Sequence, residues 1–584
     1  MGDHQPALQT AASAASAAST ARPRGLRDRR VLALLVLVVA LQGLSWGLLE
    51  GYQLADSVEY MERARAFIRT EEVIDSRQIR SFGFSALLLP IFGAAELFGI
   101  RDYRCVVWIV RCLQMALGLW LVLSCVRIGH RLGGRNAGLA SGFLVGVNPI
   151  FLQYSVAPLA DIAAALCVAL AVEHLSTPTD RRGGLRAGLW LGLGLLMAYK
   201  TLPIAAVLLA LVAVRDRRRG LPSLWGATLG YASGVGAQVV LDRVVYGRWG
   251  SSLFNYFGEN AVSIVARLLY RVGLVPQGKG LYDWWYDLEG GTSAVGDTLR
   301  QLQPADWYWT HLSELLVWPV VAIAALALVR CFQQRNWRSS LLLGTLAVNV
   351  LLLSQKGSKD FRLWLPLLPL LGPLLGWGWA WIADARAGST RPAWRTGLAF
   401  GLLALAAVLG GHSLTRRNSH LYADYWRAVE YVAQRAAQER AANPGAPPAR
   451  IAAAYHWAVF LHTSADLQLT KLPRQVTGWA GFAEQDRFRV FDTLRTQDWF
   501  LVHGPVLTDP GHRELTYRIN AWFDVEEVFW DREAAEDLGP IYVMRRRESD
   551  ELDPQRRALF EVQPDGDPEL LRQQLGFEEP VRLV

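Results

Sequence analysis

Charge is scarce in this chain. Of its 584 residues only 19% are Asp, Glu, Lys or Arg, while 52% are hydrophobic. That balance excludes a soluble multidomain protein and suits a polytopic membrane protein with a water-soluble appendage. Cysteine is scarcer still. Cys105, Cys112, Cys125, Cys167 and Cys331 lie in or beside apolar runs, without disulfide or metal-ligand spacing, and read as small core residues. There is no Walker loop, dinucleotide fingerprint, HExxH helix or zinc spacing, so nothing in the sequence points to a nucleotide-driven pump. Internal repeats are lacking and charges within the apolar runs are sparse, unlike the repeated halves and mid-membrane polar groups of transporters. The net charge of +8 comes from short basic loops such as Arg215 to Arg219, as the positive-inside rule places them, and not from a nucleic-acid-binding face.

What the chain has is long apolar runs and 23 tryptophans, a residue that favours membrane–water interfaces. A helix needs about 20 apolar residues to cross a bilayer. Runs near 31–49, 105–126, 136–153, 159–175, 185–199, 202–214, 223–241, 313–331, 340–353, 363–383 and 395–411 predict an α-helical polytopic protein of about 11 transmembrane helices. A re-entrant or interfacial helix is expected around Phe84 to Phe98. Residues 1–30 read as a disordered basic N-terminus. The run after it is long for a signal peptide and lacks a small-residue cleavage site, so it reads as a retained first span. With the six basic loops inside, the N-terminus is cytoplasmic. Residues 50–104, 154–158, 200–201, 242–312, 354–362 and everything after 412 then lie outside.

Residues 412–584 change character. Charged helical stretches such as 422–439 alternate with β-like runs at 450–454 and 499–503, which predicts an extracytoplasmic α/β domain. The expected division is therefore 1–30, a membrane domain over 31–411, and 412–584, ending in an acidic, Gln-rich tail. Abundant Ala, Arg and Gly suggest a bacterial, multi-pass inner-membrane protein.

Polar clusters gather on the predicted outer side. The loop Ser354 to Arg362, wedged between two apolar runs, carries Lys356, Lys359, Asp360 and Arg362. Ionisable groups so close to hydrocarbon suit a functional site or a snorkelling loop. The first outer loop carries Asp56, Glu59 and Glu62. Asp56 and Glu59 are spaced to share a helix face, which suits a general base or a solvated amphipathic helix. Arg80 precedes an apolar stretch and suits a phosphate clamp. Asp161 begins a span, as a site carboxylate or an N-cap, and Lys200 sits at another outer turn. Asp242, Asn255 and Asn260 follow. Trp307 and Tyr308 suit sugar stacking or an interfacial belt. Acidic residues on these loops also suit Mg²⁺ or Mn²⁺.

In this order the segments resemble the GT-C superfamily of integral-membrane glycosyltransferases, and more closely the family 22 mannosyltransferases. Asp56 with Glu62 resembles that family's acidic motif, and Arg80-Ser81-Phe82 its Arg-Ser-aromatic motif. Asp242, Tyr246-Gly247-Arg248, Asn255 and Asn260 resemble its Asp…Tyr-Gly-Lys/Arg…Asn…Asn segment. Asp306 to Trp309 stands where the family has a Trp/Tyr-rich stretch. Lys359-Asp360-Phe361-Arg362 with Pro366 and Pro369 resembles its His-Lys-Glu-x-Arg-Phe…Pro…Pro motif, with Ser358 in place of His and Asp360 in place of Glu. The resemblance spans roughly 31–411. It implies a GT-C fold and inverting transfer of a sugar, mannose by family expectation. The donor is a polyprenyl phosphate and the acceptor a lipid, glycan or protein at the outer membrane face. It implies Asp56 as base and Lys359, Arg362, Arg80 and Lys356 on the donor phosphate. Substrate contacts fall to Glu59, Glu62, Asp161, Asp242, Asn255, Trp307, Tyr308 and Asp360. The rival readings are a transporter or flippase for lipid-linked glycans and a non-catalytic binder with the same fold.

Overall fold

The computed structural model describes residues 28–48, 55–70, 79–100, 103–176, 180–217, 221–258, 260, 306–334, 336–356, 360–383, 393–418, 423–454, 466–470, 472, 476, 479, 484–508, 510–529 and 540–547. The N-terminal 27 residues, Lys359 and the acidic C-terminal tail lie outside them.

Each apolar run is helical. In chain order the helices are α1 (Arg29–Leu48), α2 (Ala55–Ile68), α3 (Gly83–Leu97), α4 (Tyr103–Gly146), α5 (Pro149–Tyr154), α6 (Ala160–Leu175), α7 (Arg181–Met197), α8 (Leu202–Asp216), α9 (Pro222–Tyr246) and α10 (Ser251–Phe257). They continue with α11 (Trp307–Thr310), α12 (Leu312–Gln334), α13 (Trp337–Gln355), α14 (Leu368–Ala383), α15 (Ala393–Asn418) and α16 (Ala423–Ala442). By length and apolarity 6 of the described helical segments are able to cross a membrane: α1, α4, α12, α13, α15, and α14 with the 3₁₀ turn before it. α6, α7 and α8 are shorter. α3 matches the interfacial helix expected around 84–98.

The chain divides into two compact units. The first comprises residues 1–45, 73–86 and 113–415. Its centre is α6, which is apolar all round and buried along nearly its whole length. Against it packs α7, and α7 packs on α9 through two matched glycine series, Gly184/Gly188/Gly192 and Gly226/Gly230/Gly234. Their four-residue spacing puts each series on one helix face, so the backbones meet directly. A Cβ at Gly188 would run into the Ala227 carbonyl, and one at Gly226 into that of Arg181.

The break that Gly133 and Gly134 make inside α4 falls in the expected loop between the runs 105–126 and 136–153, where the nearby Arg131 carbonyl accepts from Arg338. The run 136–153 is not one helix: it stops at Gly146 and restarts as α5, with Pro149 in its first turn. Asn148 caps that restart, its Oδ1 accepting from Ile150 N at 3.0 Å and Phe151 N at 3.1 Å. Its Nδ2 donates at 3.2 Å to the carbonyl of Leu315 in α12. That carbonyl lacks a helical partner because Val317 (φ 42°) breaks the helix just after it and residue 319 is Pro, which has no N–H.

The second unit comprises residues 46–72, 87–112 and 416–584. Its membrane-side portion ties α2 to α3 through an Arg69–Glu96 ion pair at 2.5 Å, and Arg111 stacks over Trp46. The C-terminal portion is the expected α/β structure. Strands β1 (Ala449–Ala453), β2 (Leu467–Leu469), β3 (Trp499–His503), β4 (Phe523–Phe529) and β5 (Ile541–Arg546) form one sheet of order β2-β1-β3-β5-β4. β1 runs parallel to β2 and β3, and β5 antiparallel to β3 and β4. Period-two alternation gives each face its own core. Tyr425, Val429 and Val432 of α16 cover Ile451, Trp499, Leu501 and Val543. On the other face Val490, Leu494, Leu515 and Ile519 pack with Phe500, Val502 and Met544.

Asn148→Leu is predicted to strand two N–H groups and one carbonyl in an apolar surround, at a cost of about 1–3 kcal/mol for each unsatisfied group. Chemical unfolding of the detergent-solubilised chain measures the loss. Buried His503, whose Nδ1 lies 2.7 Å from the Tyr425 hydroxyl, has its pKa lowered to about 4, by burial first and by His512 second. The unfolded chain therefore takes up this proton as pH falls below about 6.5, before the folded chain does. The second unit is predicted to keep this stability above that pH and to lose roughly 3 kcal/mol of it by pH 4. Thermal melts from pH 7 to 4 read that slope, and a His503→Gln variant is expected to flatten it.

Candidate functional site

Site residues in the first unit fall into two clusters at the ends of apolar helices. The first is built around Asp161. Its backbone does not fit the N-cap expectation, because the cap position is Leu159 and Asp161 lies inside the first turn of α6. Its carboxylate instead forms an ion pair with Lys200. Both side chains are largely shielded, Asp161 5% and Lys200 16% exposed. Lys200 belongs to a single 3₁₀ turn, Tyr199–Thr201, that joins α7 to α8. On the α6 side, Gln114 of α4 donates at 2.5 Å to the Leu159 carbonyl and fixes the turn that delivers Asp161.

The Arg80 segment is pinned to the same region. Ser81 donates its hydroxyl to the Leu196 carbonyl at the end of α7, four residues before Lys200. A Cβ at Gly83 would strike that same carbonyl, so only glycine permits this approach. Tyr246 of α9 donates at 3.3 Å to the Arg80 carbonyl. Asp242, expected to touch substrate, is 0% exposed. It accepts from Gln238 Nε2 at 2.7 Å, Ser252 N at 2.9 Å and Ser252 Oγ at 2.5 Å. Burial and these donors tie α9 to α10 in the manner of a structural joint. Asn255 lies in α10, half-buried.

The second cluster surrounds Asp360. Its Oδ1 accepts from Arg362 N at 2.9 Å and caps the 3₁₀ turn Phe361–Leu367. Its Oδ2 holds Arg362 Nε at 2.9 Å. A guanidinium gripped at Nε by a carboxylate keeps a fixed plane. Tyr154 of α5 donates to Asp360 Oδ1 at 3.4 Å, and Tyr308 of α11 donates to the Asp360 carbonyl at 3.1 Å. Burial pushes the Tyr308 hydroxyl pKa up, so it remains a donor there. Trp307 stacks on His311 with centroids 4.5 Å apart, and lies 4.9 Å from the Phe361 ring. Trp307 and Tyr308 thus buttress the Arg362 turn from one side. Lys356 ends α13 as its C-cap.

Asp56, Glu59 and Glu62 belong to the second unit, all on α2. Asp56 stands half-buried in its first turn. Glu59 pairs at 3.4 Å with Arg63, whose side chain is 1% exposed. Among the described residues no group of three His, Cys, Asp or Glu side chains converges in a way that would hold a metal ion. Two supporting residues carried no signal of their own in the sequence: Gln114 and Tyr154 bond to positions 45 and 206 residues away. Ser81, part of the Arg-Ser-aromatic motif, reaches a carbonyl 115 residues away.

This architecture has been seen before. ArnT from Cupriavidus metallidurans bound to undecaprenyl phosphate superposes with a TM-score of 0.54 at 13% identity, over 89% of this chain and 99% of that one. The oligosaccharyltransferase of Archaeoglobus fulgidus in its apo form gives 0.51 at 13%, over 86% and 74%. AglB from the same organism, in complex with an inhibitory peptide and a dolichol-phosphate, gives 0.51 at 13%, over 88% and 74%. The chain has the GT-C fold. In sequence, the dolichyl-phosphate-mannose-protein mannosyltransferase family matches residues 93–235. Among curated proteins, none matches this sequence. The GT-C fold expected from the sequence agrees with these likenesses.

Removing Lys200 is predicted to leave Asp161 buried and uncompensated. Lys200→Met should cost about 3–5 kcal/mol, and adding Asp161→Leu should restore most of it, because removing both charges costs far less than stranding one. A denaturant-unfolding cycle of the two single variants and the double variant in detergent gives the coupling.

Proposed function

We propose that the protein is an inverting glycosyltransferase that moves a sugar from a polyprenyl-phosphate donor to an acceptor at the outer membrane face. The observation that carries this reading is the GT-C fold itself: this chain spans nearly the whole of a protein solved with undecaprenyl phosphate bound. A second support is chemical. Asp360 presents the Arg362 guanidinium in a fixed orientation at the start of an apolar span, where a lipid phosphate would lie. The match to a mannosyltransferase family favours mannose as the sugar.

In the proposed reaction the carboxylate of Asp56 takes the proton from an acceptor hydroxyl. That oxygen attacks the anomeric carbon while the bond from this carbon to the phosphate oxygen breaks. The bonding electrons leave with the phosphate, and the anomeric configuration inverts. Negative charge therefore grows on the lipid phosphate, and fixed cations lower the barrier to its departure. Arg362, Lys359, Arg80 and Lys356 are assigned that role. Glu59, Glu62, Asp161, Asn255, Trp307 and Tyr308 shape the surroundings of donor and acceptor, whether the acceptor is lipid, glycan or protein. Proton transfer and charge stabilisation in this scheme are assigned to these side chains, and the acidic residues among them also suit Mg²⁺ or Mn²⁺.

The test is transfer of labelled mannose from a polyprenyl-phosphate donor in membranes carrying wild type, Asp56→Asn or Arg362→Ala. Wild-type transfer is expected, with Asp56→Asn reduced about 10²–10⁴-fold and Arg362→Ala about 10²–10³-fold. Undiminished transfer by Asp56→Asn removes it as base. Donor binding without transfer by wild type identifies a binding protein instead.

A further inference from the structure

Asp242 is buried, saturated with hydrogen bonds and far from solvent, yet its bonds lead toward the Lys200 turn. Its three donors come from Gln238 on its own helix and from both the amide and hydroxyl of Ser252. The turn between α9 and α10 makes this possible: Gly247 (φ 71°) and Gly250 (φ 64°) adopt the left-handed region and fold Ser252 back onto Asp242. The Ser252 hydroxyl also meets the Tyr199 hydroxyl. A carboxylate only accepts, so the Ser252 proton points to Asp242 and Tyr199 must donate to Ser252. The order is fixed as Tyr199 to Ser252 to Asp242. Tyr199 is 3% exposed, and its ring packs at 5.1 Å on Tyr256, so α10 grips it by both hydroxyl and ring. The next residue is Lys200.

We infer that Asp242 is a positioning residue that holds the Lys200–Asp161 pair in place through Ser252 and Tyr199, without touching substrate. A carboxylate suits this joint because its two oxygens accept from three donors at once and draw both helices inward. The inference deepens the proposed function, since it assumes that the Lys200–Asp161 pair belongs to the transfer site. Its test nonetheless needs no donor sugar.

The experiment is amine acylation of the purified full-length chain in lipid nanodiscs, with Lys200 modification read by peptide mass spectrometry and Lys356 as the internal reference. Tyr199→Phe keeps the ring and removes one hydroxyl, Ser252→Ala removes the middle link, and Asp242→Asn places an amide against a donor. Each should raise the relative labelling of Lys200 by about two- to threefold or more, and Tyr199→Phe combined with Asp242→Asn should add little beyond either alone. Unchanged Lys200 labelling in Tyr199→Phe and Ser252→Ala variants that melt like wild type overturns the inference, even where Asp242→Asn fails to fold. Additive effects overturn the shared route. Loss of sugar transfer in Asp242→Asn with Lys200 labelling unchanged would return Asp242 to direct substrate contact. If wild type transfers no sugar at all, the labelling pattern still decides whether Asp242 controls Lys200.

Discussion

A carbonyl without a donor is expensive inside an apolar span, and the break at Val317 with Pro319 after it leaves one at Leu315. Asn148 resolves it with the same amide that caps the restart of α5. One side chain thus closes two helix breaks, in α12 and between α4 and α5. Both site clusters rest on that closure. Tyr154, which reaches Asp360, is the last residue of α5, and the following turn leads to Leu159 and Asp161. Were the restart displaced, the Asp360 turn and the first turn of α6 would lose a common support.

The same economy of partners recurs at each polar site. Asp161 has Lys200, Asp360 has the backbone and guanidinium of Arg362, and Asp242 has Gln238 and Ser252. Three buried or half-buried carboxylates are stabilised in three different ways, and the difference separates their uses. A carboxylate surrounded only by neutral donors builds a joint. One that grips a partly exposed guanidinium aims it. One paired with a lysine at a helix start, close to the Arg80 segment, sets a local field.

Much of this was legible in the residues. Hydropathy found the helices, because a run such as 223–241 leaves little alternative to the observed Pro222–Tyr246. Short β-like runs located β1 and β3 to within a residue. The spacing permitted the Asp360–Arg362 association without selecting it: a carboxylate two residues before an arginine at a turn is within reach of both its amide and its side chain, but from the sequence Asp360 was placed among the substrate contacts. Other features were hidden because they depend on distant partners. The run 136–153 looked continuous because Asn148 and Pro149 barely lower its average apolarity, although Asn-Pro is also a helix-start signal. Asp161 looked like a cap, and only the fold brings Lys200 to it. Asp242 was readable as important by type, but not as buried, because its burial comes from α10 folding back across two left-handed glycines.

The far end of α6 carries a different consequence. Its final carbonyls are taken by arginines from three other helices: Arg131 at Glu173, Arg215 at Leu175 and Arg338 at Ser176. These are the charges that the positive-inside rule reads as an orientation signal, and here they also terminate a helix. Arg338 is made 162 residues after Ser176. At ordinary synthesis rates of ~5–20 residues per second, the ribosome reaches it roughly 8–30 s later. The last of the three donors at this end of the central helix is thus synthesised well after the helix itself.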